Sequence, residues 1–266
     1  MVDHSEVDIL PVGGGHGSAR SKRAGEWCRV WSVSAAELCG TSLLVLLSCL
    51  PAAADPQPGL LQRSLSAGLV VALIVQCFDH VSGAHLNPTV TVAAALSGRT
   101  PLPVAAAMCA SQLAGSALGA VAARLLSSRD IITVCITTPA SHISVYQAVV
   151  IEMLLGCCLA LANLSSWDVR NQYLIDSWPL RIGFTVSSLS LVAGDLTGAS
   201  MNPVRSFAPA LCSGNWTAHW VYWVGPLSGS CLAVALYAAL WRDTAAAPRR
   251  TAPSSTCTYT HQQNKT

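Results

Sequence analysis

The sequence has few charged residues. Asp, Glu, Lys and Arg make up 11% of its 266 residues, against roughly 25% in an ordinary soluble domain. This number of charged residues is too small to cover a globular surface with polar groups. The composition therefore argues against a soluble protein and predicts a membrane protein. Lys and Arg form no basic cluster interleaved with aromatic residues, and no nucleic-acid partner is predicted.

Metal-binding and catalytic patterns are also missing. The 11 cysteines form neither a CxxC pair nor a Cys/His cluster with metal-ligand spacing. Most lie within apolar segments, and we interpret them as small apolar packing residues rather than a disulfide framework. No nucleophile–base pair is evident either. The sequence therefore predicts no metal, no cofactor and no enzymatic activity.

Several apolar segments approach the ~20 residues that span a bilayer as a helix. Six of them cover residues 29–50, 60–78, 102–126, 145–165, 179–195 and 217–241. Two shorter segments, 87–97 and 202–212, each begin with an Asn-Pro pair, which is typical of an N-cap followed by a first helical residue. These pairs are Asn87-Pro88 and Asn202-Pro203. We predict an all-α membrane protein of six transmembrane helices and two half-helices that enter the membrane without crossing it.

The two ends of the chain differ from this apolar region in composition. Residues 1–28 are rich in Gly, Ser and charge, and residues 243–266 are rich in Thr, Ser, Pro and Gln. We therefore predict disordered cytoplasmic tails on either side of a membrane domain at 29–242. Most Lys and Arg residues fall on one side of the membrane if both termini are cytoplasmic, which favours that orientation.

The sequence repeats itself with an offset of 115 residues. Glu37 lies 50 residues before Asn87, and Glu152 lies 50 residues before Asn202. Each half holds three spans, and an odd number inverts the second half, so the two half-helices enter from opposite faces. Non-helical backbone at that depth is tolerated only where it is buried in protein or lines a water-filled cavity. The repeat thus predicts a permeation pathway where the two Asn-Pro pairs meet.

Glu37 and Glu152 are lone acids in apolar segments. A charged residue in the middle of a bilayer costs ~3 kcal/mol or more, so each needs a structural task. We predict that both are buried scaffold acids, each accepting backbone N–H bonds from the extended segment before its Asn-Pro pair. Small-residue motifs at 115–119 and 229–233 predict close helix crossings.

These motifs resemble the aquaporin (major intrinsic protein) family over residues 31–241. Residues 82–88, residues 202–207 and the repeat that joins them carry the resemblance. It implies a homotetramer in a lipid bilayer, in the plasma membrane, with one pore per subunit for water or small neutral solutes. The family usually has Ala after each Asn-Pro pair. Thr89 and Val204 stand there instead, and we expect them to alter packing between the half-helices without closing the pore.

The resemblance also implies a selectivity filter made of Ala67, Ser190, Ala199 and Arg205. Water-selective members have an aromatic residue in place of Ala67 and a His in place of Ser190. Arg205 keeps a fixed positive charge that repels cations and hydronium. We therefore expect a widened filter that passes solutes larger than water.

Two segments resemble one branch of the family. Residues 59–62 and 215–223 are similar to the ammonia-permeable, aquaporin-eight-like vertebrate branch, which is associated with water, ammonia and hydrogen peroxide. The residues at filter positions 67 and 190 differ from that branch, so its selectivity does not transfer directly. His85 and Ser200, which precede the two Asn-Pro pairs, are expected to line the pore.

The function that these residues favour is a passive channel for water and small neutral solutes. The predicted solutes are ammonia, hydrogen peroxide, urea and, as the largest, glycerol, with protons and ions excluded. Three alternatives stay open: a water-selective aquaporin, a non-conducting structural or adhesion protein of the same fold, and an active transporter.

Overall fold

A computed structural model describes residues 19–54, 56–127 and 135–241. No strand occurs within these ranges, and the predicted all-α membrane fold is confirmed. The helices are α1 (Ala19–Cys49), α2 (Leu60–Ser82), α3 (Pro88–Leu96), α4 (Leu102–Leu126), α5 (Val145–Trp167), α6 (Trp178–Thr197), α7 (Pro203–Ser213) and α8 (Val221–Leu240). Two 3-10 helices, Leu50–Ala53 and Val169–Ser177, follow α1 and α5. The predicted tail at 243–266 lies outside the described residues, as do residues 1–18.

The first helix begins earlier than the sequence predicted. It starts at Ala19, so the prediction of disorder over 1–28 is wrong for residues 19–28. This stretch contains Ala, Arg, Lys and Glu, which have high helix propensity. A helix that is held in place from residue 29 onward extends readily into such residues, because propagation costs far less than nucleation.

Within the described ranges, five helices are long and apolar enough to span a bilayer, namely α2, α4, α5, α8 and α1 from Arg29 onward. Helix α6 has 20 residues but a lower mean hydropathy, because it contains Arg181, Asp195 and several hydroxyl residues. Arg63 of α2 pairs with Asp195 at 3.0 Å (Nη2 to Oδ1). One of the polar residues of α6 is thus satisfied by a neighbouring helix.

Helix pairing follows the internal repeat. Helix α1 packs along α4 in the first half, and α5 packs along α8 in the second half. Helices α2 and α6, which are the counterparts of each other in the repeat, pack together and join the halves. This is the pairing expected for two inverted units related by a pseudo-two-fold axis in the membrane plane.

The predicted small-residue crossings are confirmed. A Cβ atom at Gly115 of α4 would overlap the backbone carbonyl oxygen of Leu38 in α1, and one at Gly229 of α8 would overlap that of Met153 in α5. Gly68 of α2 is equally close to α6. Backbones that approach this closely gain dispersion contacts along the whole crossing, which is how helices associate where lipid removes the hydrophobic driving force.

The interpretation of every cysteine as a packing residue is wrong for two of them. Cys49 and Cys135 form a disulfide with a Cα–Cα distance of 5.4 Å. They are 86 residues apart, and neither belongs to a spacing motif, so the sequence carries no pairing signal. The fold places the end of α1 next to the segment before α5, and this proximity allows the disulfide to form.

The α1–α4 crossing gives a test of the fold. We expect Gly115→Ala to lower the free energy of unfolding by about 1–3 kcal/mol, because an added methyl group forces apart two packed backbones. The measurement is thermal unfolding of the detergent-solubilised protein. Gly59→Ala is the matched control, since a Cβ there has no atom within 4 Å. Equal melting temperatures for the two variants would contradict this packing.

Candidate functional site

A cavity of about 210 Å³ lies between the two halves. The structure brings eight of the predicted site residues to its wall. They are Ala67, His85, Asn87, Ser190, Ala199, Ser200, Asn202 and Arg205. Pro88 and Pro203 do not line the cavity; they are the first residues of α3 and α7. The two acids, Glu37 and Glu152, are fully buried behind the wall.

Asn87 and Asn202 each perform two tasks at once. The side-chain oxygen of Asn87 accepts the Thr89 N–H (2.8 Å) and caps α3, and that of Asn202 accepts the Val204 N–H (3.1 Å) and caps α7. Their amide nitrogens donate across the repeat, from Asn87 Nδ2 to Met201 O and from Asn202 Nδ2 to Leu86 O, both at 2.9 Å. An amide nitrogen has two N–H donors, so each Asn keeps one more for the cavity.

The segment before each Asn-Pro pair has an unusual backbone. Ala84 and Leu86 adopt φ values of 42° and 53°, and Ala199 and Met201 adopt 43° and 55°. L-residues rarely occupy this left-handed region, and holding them there costs of order 1 kcal/mol each. Such a conformation persists only where the surroundings fix it, and the two buried carboxylates provide that constraint.

Glu37 holds the first of these segments. Its carboxylate accepts the backbone N–H groups of His85 (3.0 Å, Oε1) and Leu86 (2.7 Å, Oε2). The Ser82 hydroxyl donates to Oε1 at 2.6 Å and the Gln112 amide donates to Oε2 at 2.7 Å. A buried charge is tolerated when hydrogen bonds satisfy it in this way. The predicted backbone contacts are therefore present.

Glu152 does the same in the second half. It accepts the backbone N–H groups of Ser200 and Met201, both at 2.9 Å, and the hydroxyl of Thr197 at 2.7 Å. Thr197 and Ser82 are counterparts in the repeat. Glu37 has the additional donor Gln112, so the two networks are related but not identical.

The four predicted filter residues come from three helices and from the segment between α6 and α7. Ala67 lies on α2, Ser190 on α6, and Ala199 and Arg205 flank the start of α7. Arg205 donates from Nη1 to the backbone carbonyl of Cys135 at 3.3 Å. Gly68, next to Ala67, touches Gly183 and Ser187 of α6, so this close crossing sets the separation of α2 and α6 beside the filter.

Within the part of the chain that the structure describes, no aromatic ring fills the space that the small side chains of Ala67 and Ser190 leave. Among the described residues that line this cavity, the aromatic rings are those of His85 and Trp178. Trp178 begins α6 and lies about 18 Å along the helix from Ser190, at 1.5 Å per residue. The His85 ring packs against Trp167 at the end of α5, with 5.8 Å between ring centroids. Both rings belong to the end of the cavity remote from Cys135.

Sequence reasoning missed part of the wall. Asn163 and Trp178 line the cavity at one end, and Cys135 and Thr137 line it at the other. Cys135 contacts Arg205 through its backbone carbonyl. Every residue has such a carbonyl, so the amino-acid type at position 135 could not predict the contact. Thr137 donates to the Ser206 hydroxyl at 2.6 Å, a contact that depends on how the segment before α5 folds back over α7.

An aromatic cluster links α7, the loop before α8 and α8 itself. Phe207 packs against Trp216 and Trp223, with ring centroids 5.9 and 6.4 Å apart. The Trp223 indole N–H donates to His219 Nε2 at 3.0 Å, which leaves the other ring nitrogen as the protonated one. Burial lowers the pKa of His219, which favours the neutral ring that accepts this hydrogen bond.

The chain is similar to a known protein family over most of its length. The sequence model described as Major intrinsic protein matches residues 26–237. Mouse aquaporin-4 is 35% identical over 221 residues, which is 80% of this chain and 68% of that protein. The chicken lens fiber major intrinsic protein is 36% identical over 211 residues, covering 78% of this chain and 80% of that protein.

Solved structures show the same architecture. The X-ray structure of the aquaglyceroporin from Plasmodium falciparum superposes with a TM-score of 0.71 and covers 78% of this chain and 95% of that chain. Its sequence identity is 21%, so the likeness extends to the fold alone.

The buried carboxylates give a test of how the site is held. In Glu37→Gln an amide N–H would face a backbone N–H, which leaves a buried donor without an acceptor. We expect the free energy of unfolding to fall by about 1–3 kcal/mol for each such donor, measured as a lower melting temperature in detergent. Asp195→Asn, which removes the exposed Arg63–Asp195 ion pair, is the matched control, with an expected loss below about 1 kcal/mol. A Glu37→Gln protein as stable as the control would contradict the bracing role.

Proposed function

The chain belongs to the major intrinsic protein family, and on that premise we propose that it passes small neutral solutes as well as water. The solutes are ammonia, hydrogen peroxide, urea and glycerol, with protons and ions excluded. One observation carries the proposal: Asn87, Asn202 and Arg205 share the cavity wall with Ala67 and Ser190, and none of the described residues beside Ala67 and Ser190 on that wall is aromatic. The choice of ammonia and hydrogen peroxide as solutes is also based on the sequence resemblance to the aquaporin-eight-like branch.

The two Asn residues orient what passes. Each has an N–H donor for the cavity, and the N-termini of α3 and α7 add positive potential there. A water whose oxygen accepts from both amides has its hydrogens directed away along the cavity. This arrangement interrupts a continuous donor–acceptor chain, so protons cannot hop through the file of waters.

Arg205 excludes cations at the filter. Its guanidinium carries a fixed charge and presents several N–H donors to the oxygen or nitrogen lone pairs of a solute. A unit charge acts on another about 4 Å away with ~4 kcal/mol at an effective dielectric constant of 20. Neutral solutes avoid that barrier and gain the hydrogen bonds instead.

Ala67 and Ser190 set the size limit in this proposal. A methyl and a hydroxymethyl group leave room where a benzyl and an imidazole group would narrow the passage. The wall offers little apolar surface to grip a carbon backbone, and tight discrimination among small solutes needs such a surface. We therefore propose broad selectivity by size and charge.

The alternatives make different predictions for flux. The likeness to mouse aquaporin-4 favours a water channel, and water selectivity is the second candidate. A non-conducting structural or adhesion protein would show no flux at all. A transporter would need an acid in the cavity to couple an ion, whereas Glu37 and Glu152 lie behind the wall and their oxygens accept structural hydrogen bonds.

Orientation and assembly follow from the same proposal. Disulfides persist in oxidising compartments, so the Cys49–Cys135 end faces outward and the N-terminal end of α1 is cytoplasmic, which agrees with the Lys/Arg distribution. The family resemblance implies a homotetramer in the plasma membrane. Leu61, Leu65 and Leu69 of α2 are exposed and offer an apolar face to lipid or to a neighbouring subunit.

The filter is tested by restoring its bulk. In proteoliposomes, Ala67→Phe combined with Ser190→His should cut glycerol and urea flux by about tenfold or more and spare water flux, because a narrower opening excludes only the larger solutes. Stopped-flow light scattering measures both. Leu69→Phe, which adds the same ring on the outward face of α2, is the matched control and should change neither. Wild-type protein with fast water flux and no flux of urea, ammonia, peroxide or glycerol would overturn the proposal.

Arg205 is tested through charge selectivity. We expect Arg205→Val to raise cation and proton leak at least about tenfold. A tenfold rise corresponds to the loss of about 1.4 kcal/mol from the ~4 kcal/mol electrostatic barrier. The leak is measured as pH-dye and potential-dye signals in proteoliposomes. Arg63→Gln is the control, because Arg63 also lines the cavity but is already paired with Asp195. Unchanged leak in Arg205→Val would contradict its role as the charge barrier.

A further inference from the structure

The Cys49–Cys135 disulfide lies beside the filter. Cys49 and Cys135 are buried, at 1% and 6% exposure, in an apolar cluster with Val45, Ala120 and Ala208. Cys49 is the last residue of α1. The bond therefore anchors the segment before α5 to a helix that packs along α4, and closes a loop of 86 residues.

The anchored segment is also the one that touches Arg205. The carbonyl oxygen of Cys135 itself accepts the Arg205 Nη1–H at 3.3 Å. Two residues on, Thr137 donates to the Ser206 hydroxyl at 2.6 Å. The Ala140 N–H donates to the carbonyl of Leu196 at 2.8 Å. The segment thus lies over one end of the cavity and is hydrogen-bonded to both α7 and α6.

The carbonyl that orients Arg205 is covalently close to the disulfide. Within Cys135 the carbonyl carbon is separated from Sγ by Cα and Cβ alone, so fixing the sulfur restricts the carbonyl. An arginine side chain loses rotamer entropy when it is held, and this carbonyl is the one hydrogen-bond acceptor of the Arg205 guanidinium within the described ranges. A mobile carbonyl would leave the guanidinium free to swing along the cavity.

We propose that the Cys49–Cys135 disulfide is a positioning element of the filter: it fixes the carbonyl that directs the Arg205 guanidinium across the cavity. The oxidation state of this pair then sets solute and charge selectivity. The inference rests on the proposed channel function and adds to it a selectivity determinant outside the four filter residues. Reduction by a dithiol breaks the S–S bond, gives two cysteine thiols, and converts the dithiol to its own disulfide.

The experiment uses Cys49→Ser combined with Cys135→Ser. These substitutions leave the backbone carbonyl at 135 in place, so an effect on Arg205 reports its position and not its removal. At equal amounts of reconstituted protein, we expect the ratio of glycerol to water flux and the cation leak to change by about threefold to tenfold. That range corresponds to weakening, without abolishing, the hydrogen bond between Arg205 and the Cys135 carbonyl. Cys212→Ser is the matched control, because Cys212 packs against the same cluster with a free thiol.

A second background separates positioning from a general structural role. In the Arg205→Val background the disulfide has no guanidinium to direct, so removing the disulfide should leave the flux ratio and the leak unchanged. The effects of the two changes are then non-additive in a double-mutant cycle. A flux ratio that stays at the wild-type value after the disulfide is lost would overturn the inference, as would an equal change in both backgrounds. So would full alkylation of Cys49 and Cys135 in unreduced, denatured protein, because the disulfide would then be absent.

The two proposals fail in different ways. If the wild-type protein conducts neither water nor solutes, the channel function fails. If it conducts and the disulfide variant keeps the same ratio and leak, only the positioning inference fails.

Discussion

The backbone before Asn87 and before Asn202 carries polar groups through the middle of an apolar protein without forming a helix. Lipid offers those groups no hydrogen-bond partners, so the protein or the water of the cavity must supply them. Glu37 and Glu152 do so for the N–H groups, and each Asn amide donates to a carbonyl of the opposite half. Because the halves satisfy each other, neither half-helix can hold its position alone, and the central cavity is a property of the pair.

The hydrogen-bonded backbone and the packed helices form a frame that does not depend on the side chains at the filter. The carboxylates, the caps and the close crossings at Gly115 and Gly229 fix where backbone and amide donors stand. The side chains at Ala67 and Ser190 take no part in that bracing. Changing their size therefore changes the opening without disturbing the frame, which is how one fold can host channels of different selectivity.

The sequence predicted the frame well for a physical reason. A duplicated acid–Asn-Pro spacing and long apolar segments are local signals, and the inverted packing follows from three spans per half. What it could not predict depends on contacts made only after folding. The Cys49–Cys135 bond joins residues from different segments, and the Cys135 carbonyl on Arg205 is a backbone contact. Trp178 enters the cavity wall because of how α6 packs against α2. The early start of α1 reflects the helix propensity of polar residues, which a hydropathy reading ignores.

The most direct test of this account is the solute range of the wild-type protein in proteoliposomes. Water, urea and glycerol fluxes are measured together with proton leak on the same vesicles. An open filter with an intact charge barrier predicts rapid flux of all three neutral molecules and a proton leak no greater than in protein-free vesicles. Water flux without urea or glycerol flux would contradict the open filter, and a proton leak would contradict the barrier formed by the Asn pair and Arg205.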